Sequence, residues 1–181
     1  MISKIFRGIK RRICNSNQTW KVKYLKSLGV KIGDGTVIYC GIENFNTEPF
    51  LVSIGENCLI SNGVKFIEHD GGVNTLFNAG YFKDGRIMDA IAPIIIGNNV
   101  YIGTDAMIMP GVTIGDNVVI GARALVSKDI ADNMVAVGIP AKAIENLNEY
   151  YTNLQKKNRL EPTVGMSVKE KRSYYTRKYK L

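Results

Sequence analysis

The chain has 181 residues, 45% hydrophobic and 22% charged, an ordinary globular balance with enough length for one sizeable core. No apolar run approaches a membrane span and the N-terminus lacks the apolar stretch of a secretory signal, so a cytoplasmic protein is expected. Three cysteines without paired spacing, Cys14, Cys40 and Cys58, speak against a disulfide or zinc framework and for free thiols in a reducing compartment.

The net charge of +8 divides unevenly. Residues 1–31 hold nine Lys and Arg and no acid, residues 150–181 hold nine against two acids, and the body between them holds six against fourteen. The ends are therefore basic, about +16 together, and the body acidic, about −8, which marks the ends as interaction segments.

The N-terminal segment, residues 1–31, reads as helical. Ile2, Ile5, Phe6, Ile9 and Ile13 share one face at helical spacing among Lys4, Arg7, Lys10, Arg11 and Arg12. Such a helix suits an anionic membrane surface, giving peripheral contact at the inner membrane face, or simply docks its apolar side on the rest of the chain; both readings stay open. Thr19 to Leu28 predicts a second short helix, with Val22, Leu25 and Leu28 on one side and Gly29 as its stop.

A six-residue repeat opens at Ile32-Gly33 with Thr36, and again at Ile38 with Ile42. The polar, turn-rich stretch from Asn44 to Pro49 breaks it, and it returns at Ile54-Gly55 with Cys58, Ile60 with Val64, and Phe66. Cys58 is expected to face inward as a small apolar residue. From Ile96 to Lys142 the pattern is regular. Ile96, Ile102, Ile108, Ile114, Ile120 and Val126 stand six apart, and four residues after each come Val100, Ala106, Val112, Val118, Ala124 and Ile130. Gly97, Gly103, Gly115 and Gly121 follow four of these aliphatics, where a tight corner is expected to use glycine's tolerance of unusual φ and ψ. A period of six fits neither a helix nor an ordinary strand. Three strand-plus-corner units make a triangular turn of eighteen residues, and stacked turns bury the aliphatic series in a narrow core. The fold class is all-β, a parallel β-helix.

The hexad after Phe66 would turn Asp70 inward, where an unpaired carboxylate is costly, so the chain is expected to leave the coil there. Thirty residues separate Phe66 from Ile96 against eighteen for a turn, which predicts roughly a dozen residues in one long protruding loop at about 71–93. Phe77, Tyr81 and Phe82 give that loop apolar surface for a ligand or a neighbouring subunit. At its start stands His69, the only histidine in the chain, between two carboxylates and before two glycines. Its position suits a general base near neutral pH, against the plainer reading of a surface histidine at a turn. On an extended strand Glu68 and Asp70 point away from the side His69 faces, so neither is automatically its orienting partner; a backbone carbonyl or another acid could also hold the ring.

Phe66-Ile67-Glu68-His69-Asp70-Gly71-Gly72, Ala92-Pro93-Ile94-Ile95-Ile96-Gly97-Asn98-Asn99-Val100-Tyr101-Ile102-Gly103, Pro110-Gly111-Val112-Thr113-Ile114-Gly115 and Gly138-Ile139-Pro140-Ala141-Lys142 resemble the hexapeptide-repeat acyltransferases. The nearest likeness is to the group holding galactoside, maltose, xenobiotic, capsule and O-antigen acetyltransferases. The resemblance covers about residues 32 to 145. It implies a left-handed coil and a homotrimer with active sites between subunits. It also implies acetyl-CoA as cosubstrate with no permanently bound cofactor, and His69 as the catalytic base. By the same resemblance Gly103, Thr104, Ala122, Ser127, Lys128 and Lys142 hold acetyl-CoA, the two lysines meeting its phosphates. Tyr101 stands where relatives often have tryptophan. Arg123 replaces the small residue common after Gly-Ala. Asn44, Asn62 and Tyr101 are the candidates for the acceptor, with Glu43 and Asn46 beside them; each asparagine also suits a turn.

After the β-helix domain, 32–142, the spacing of Ile144, Leu147, Tyr151 and Leu154 predicts a helix capping the coil, followed by a basic tail, together 143–181. Beyond Pro162 the tail reads as an interaction segment or extended arm. The leading function is an acetyl-CoA-dependent O-acetyltransferase acting on a sugar or glycan intermediate of polysaccharide biosynthesis; the alternative is N-acetyl transfer to an amino sugar or a small-molecule amine. A nucleic-acid partner is not expected, since the body lacks a basic stripe with interleaved aromatics. A catalytic zinc site needs several histidines, and one per chain speaks against a metal.

Overall fold

The computed structural model describes residues 17–83 and 85–180, so the expected helix over residues 2–13, with its membrane reading, and Cys14 lie outside the described residues. Helix α1 (Gln18–Ser27) begins where the Asn17 side chain accepts the Trp20 N–H, and the chain turns away at Gly29, φ 95°. The first strands are β1 (Lys31–Ile32), β2 (Val37–Ile38), β3 (Val52–Ile54), β4 (Leu59–Ile60), β5 (Lys65–Phe66) and β6 (His69–Asp70). Helix α2 (Val73–Asn78) follows, then β7 (Ala90–Ile91), β8 (Ile94–Ile96), β9 (Tyr101–Ile102), β10 (Met107–Ile108) and β11 (Thr113–Ile114). The chain continues through β12 (Val119–Ile120), β13 (Leu125–Val126), β14 (Met134–Val137), β15 (Lys142–Asn146), α3 (Leu147–Lys156) and α4 (Val168–Tyr179).

Parallel strands stack into three ladders, β1-β3-β8-β11, β2-β4-β9-β12-β14 and β5-β10-β13, the three faces of a prism. Ile96 pairs with Ile114, Ile102 with Ile120 and Ile108 with Val126, so a regular turn takes eighteen residues. All twelve residues of the two aliphatic series are buried. Each fully buried Ile or Val contributes roughly 1.5–3 kcal/mol. Cys40 and Cys58 are free and sealed in this core, where burial pushes Cys40 up to about 12 and raises Cys58; Cys40 acts as a small apolar group, while the Cys58 thiol also donates to the Gly97 carbonyl at 3.1 Å.

Three details of the coil differ from the sequence reading. Gly97, Gly103, Gly115 and Gly121 do not carry positive φ. A Cβ on Gly97 would lie 2.7 Å from the Gly115 carbonyl carbon, and one on Gly103 would lie 2.5 Å from the Ala122 nitrogen, so these glycines let adjacent turns touch. The left-handed conformation falls instead on Asn57, Asn99, Asn117 and Asn133 at one corner, with Asn99 donating to Asn117 and Asn117 to Asn133. Second, Ile54 pairs with Ile96, forty-two positions on, so the excursion inserts twenty-four residues rather than a dozen. Phe66 precedes Ile96 by one face of the prism, not by a full turn. Third, the last turn is two residues short: Ile130 bridges to Ile114, taking the strand position rather than the second aliphatic one.

The start of the coil is closed by α1. Leu25 is buried beneath it, as expected, but so is Lys21, whose Nζ donates to the carbonyls of Ile38, Tyr39 and Cys40. These are end-of-ladder acceptors with no further strand to pair them. At the other end β15 turns back antiparallel on β14, with Lys142 opposite Val137, so Ile144 lies in a strand. The described residues form two compact units, the first running to Leu147 and the second from Asn148 to the C-terminal end. In the second unit the tail beyond Pro162 is helical rather than extended. Ser167 and Glu170 cap α4 reciprocally, and Tyr174 and Lys178 both reach Glu161. No helix among the described residues is long and apolar enough to cross a membrane.

Candidate active site

The irregular stretch that breaks the early repeat is folded into two short 3-10 turns, Ile42–Phe45 and Pro49–Leu51. Phe45 is buried and stacks on Phe66 with ring centroids 4.7 Å apart, which anchors the stretch to β5. Three residues beyond each ring come Glu48 and His69. They meet: His69 Nδ1 and Glu48 Oε2 are 2.9 Å apart. At the base of the excursion β6 pairs antiparallel with β7, His69 opposite Ile91 and Asp70 opposite Ala90, and this fixes the backbone under the ring.

The electrostatics follow from the donors. Thr47 Oγ1 also donates to Glu48 Oε2, at 2.7 Å. That hydrogen bond first, and the one from His69 with its charge, hold the Glu48 carboxyl below its usual range, so it is a carboxylate. A carboxylate only accepts, so Nδ1 carries the ring proton and the lone pair of neutral His69 lies on Nε2. The imidazole is 40% exposed, which leaves that nitrogen accessible.

Glu68, on the other side of the strand, is wholly buried, and neither carboxyl oxygen has a hydrogen-bond partner. Burial pushes it up to about 7, and the Glu48 charge adds to the rise. The Asn46 side chain and His69 pull the other way, Asn46 without making a hydrogen bond within ordinary limits. Donor atoms of Glu48, Glu68 and His69 all lie within 4.8 Å of one another. Asp70, by contrast, is exposed and turns back to accept the Gly72 N–H.

Among the residues singled out in the sequence, Gly103, Thr104 and Ala122 come together at one corner. Gly103 packs against Gly121 and Ala122 of the next turn, the Thr104 carbonyl accepts the Arg123 N–H, and Thr104 Oγ1 lies 2.8 Å from Ser61 Oγ on the turn below. Asn62 is the exposed neighbour of Ser61 and its carbonyl accepts the Asp105 N–H. Tyr101 is exposed between Leu59 and Val119. Ser127 and Lys128 are exposed at the corner after β13, and Lys142 is exposed at the start of β15. Asn44 is half-buried in the first 3-10 turn. No described hydrogen bond joins any of these to His69. Glu48 is the residue the sequence reading missed: it lies in a turn-rich stretch whose length hides its register, and only the Phe45–Phe66 pairing three residues earlier gives it away.

The family profile described as "Bacterial transferase hexapeptide (six repeats)" matches residues 93–128, and "Hexapeptide repeat of succinyl-transferase" matches residues 52–65. Protein CapG of Staphylococcus aureus is 40% identical over 157 residues, 86% of this chain and 87% of CapG. The chain belongs to the hexapeptide-repeat acyltransferases. Among solved members of this family, a maltose O-acetyltransferase from Clostridium difficile 630 aligns with TM-score 0.60 at 26% identity, covering 78% of this chain and 84% of that one. A galactoside acetyltransferase in complex with coenzyme A aligns with TM-score 0.51 at 35% identity, over 68% of this chain and 58% of the other. The coil is thus the left-handed β-helix of the hexapeptide-repeat acyltransferases, with parallel strands and short helices.

Proposed function

We propose that the chain transfers an acetyl group from acetyl-CoA directly to a hydroxyl of a sugar or glycan intermediate, with His69 as general base. The observation that carries this reading is the 2.9 Å contact of His69 Nδ1 with Glu48, which leaves Nε2 as the free acceptor of a proton. In the reaction Nε2 takes the proton of the acceptor hydroxyl as its oxygen attacks the thioester carbonyl carbon. Collapse of the tetrahedral intermediate breaks the C–S bond, and the imidazolium returns its proton to the leaving thiolate. An acetyl ester and CoA thiol result, with no covalent enzyme intermediate. Glu48 steadies the transient imidazolium and holds the ring in one orientation.

In this proposal acetyl-CoA runs along the corner made by Gly103, Thr104 and Ala122. Its phosphates are met by Lys128 and Lys142, with Ser127 beside them, and the acceptor is met by Asn44, Asn62 and Tyr101. The coenzyme A bound to the galactoside enzyme supports the cosubstrate, and the maltose enzyme supports an oxygen acceptor. The corner and His69 belong to one site in a homotrimer, each contributed by a different subunit. The exposed Tyr81, Ile87, Met88 and Ile91 of the excursion suit burial by such a neighbour. The test is product analysis after incubation with acetyl-CoA and a panel of sugars and amino sugars. The expected product is an alkali-labile acetyl ester on a sugar; an alkali-stable amide on an amino sugar alone would move the reading to nitrogen.

A further inference from the structure

Glu68 is the one wholly buried carboxyl among the described residues, and both of its oxygens lack a hydrogen-bond partner there. A buried polar group without a partner is costly, and the direction in which this one is aimed says what would satisfy it. Its oxygen shares a sphere with a Glu48 oxygen and a His69 ring nitrogen, all within 4.8 Å of one another. Two carboxylates and one imidazole, brought to one point by the early irregular stretch and the strand entering the excursion, are ligands of a divalent transition metal. Tetrahedral zinc with bonds of about 2.0–2.2 Å holds its ligands about 3.4 Å apart, so atoms as far apart as 4.8 Å close by roughly 1.4 Å, while His69 Nδ1 and Glu48 Oε2, now 2.9 Å apart, open by roughly 0.5 Å to admit the ion.

We propose that Glu48, Glu68 and His69 form a binding site for zinc or a similar divalent transition metal ion whose occupancy switches acetyl transfer off. The two carboxylates balance the charge of the ion, and three protein ligands leave one position for water. An ion on Nδ1 displaces the proton that Nδ1 donates to Glu48, and the neutral ring then carries its proton on Nε2. Nε2 becomes a donor and the base is lost. That consequence rests on His69 being the base; binding of the ion does not.

The test uses the full chain without an affinity tag, stripped with chelator and titrated calorimetrically with zinc chloride in the absence of substrates. One zinc per chain is expected, with affinity weakened at least about tenfold in Glu68→Gln, which keeps the shape of the side chain. Glu48→Gln, at a partly exposed position, should weaken it as well, and thermal melts verify that each variant is folded. Magnesium chloride should give no comparable binding, since an imidazole-containing set does not suit it. No zinc binding, or binding equally tight in both variants, overturns the site. In a separate assay of the zinc-free chain, zinc should abolish acetyl transfer and chelator should restore it. Zinc that binds through Glu68 yet leaves transfer untouched overturns the switch. Absence of transfer without zinc counts against the enzymatic reading, while the calorimetry stands by itself.

Discussion

The hydrogen bond from His69 Nδ1 to Glu48 Oε2 sets the tautomer of the ring, while Glu68 sits unpaired beneath the same pair. Burial raises the Glu68 pKa from 4.5 to about 7, so the folded chain holds this proton more tightly than the unfolded one. For a carboxyl shifted upward, stability is lost as pH rises through the window from 4.5 to about 7 and stays lost above it. Glu68→Gln should therefore melt close to the native chain near pH 5 and become more stable than it by about 1–3 kcal/mol near pH 8. Thermal melts in chelator across that range check this. A native-minus-variant difference that does not change with pH would mean that Glu68 has a partner.

Lys21 illustrates what a secondary-structure element requires at its end. The coil begins without a preceding turn, so the carbonyls of Ile38, Tyr39 and Cys40 have no strand to receive, and one ammonium from α1 satisfies all three. Burial lowers the pKa of Lys21, with the nearby Cys40 and Glu43 opposing that shift, so the ammonium is held against its desolvation by these contacts. Lys21→Met keeps the length and removes the charge, leaving the Tyr39 and Cys40 carbonyls without their donor, while the Ile38 carbonyl keeps the bond from Gln18 Nε2. A loss of about 2–3 kcal/mol in urea unfolding is expected. An unchanged midpoint would show that water reaches the end of the coil as readily as the lysine does.

Across the whole molecule, what repeats in the sequence was legible and what interrupts the repeat was not. The buried face of every regular turn follows from alternation alone, because a six-residue strand-plus-corner unit has one inward geometry. Gly97 and Gly103 show the limit even there. Their presence at corners was readable, but their reason, contact with the next turn, depends on a neighbour eighteen residues away. His69 was legible as a singular residue at a break in the pattern. Its partner was not, since Glu48 reaches it across an insertion whose length only the Phe45–Phe66 stack fixes. An extended strand predicts Glu68 pointing away from His69, yet its carboxyl lies within 4.8 Å of the ring and of Glu48. The helix of the tail was encoded in Ser167 and Glu170, a reciprocal cap overshadowed by the charge around it. In the proposed reaction, acceptor-dependent release of CoA thiol passes through Glu48 and His69 as one unit. The most direct measurement is the rate of that release, with a sugar acceptor, for the native chain, His69→Ala, Glu48→Gln and the double variant. The account predicts a fall of roughly 10²–10⁴-fold for His69→Ala, a smaller fall for Glu48→Gln, and a double variant no slower than His69→Ala alone. A folded His69→Ala chain at native rate, or a double variant slowed by the product of the two single effects, would contradict it.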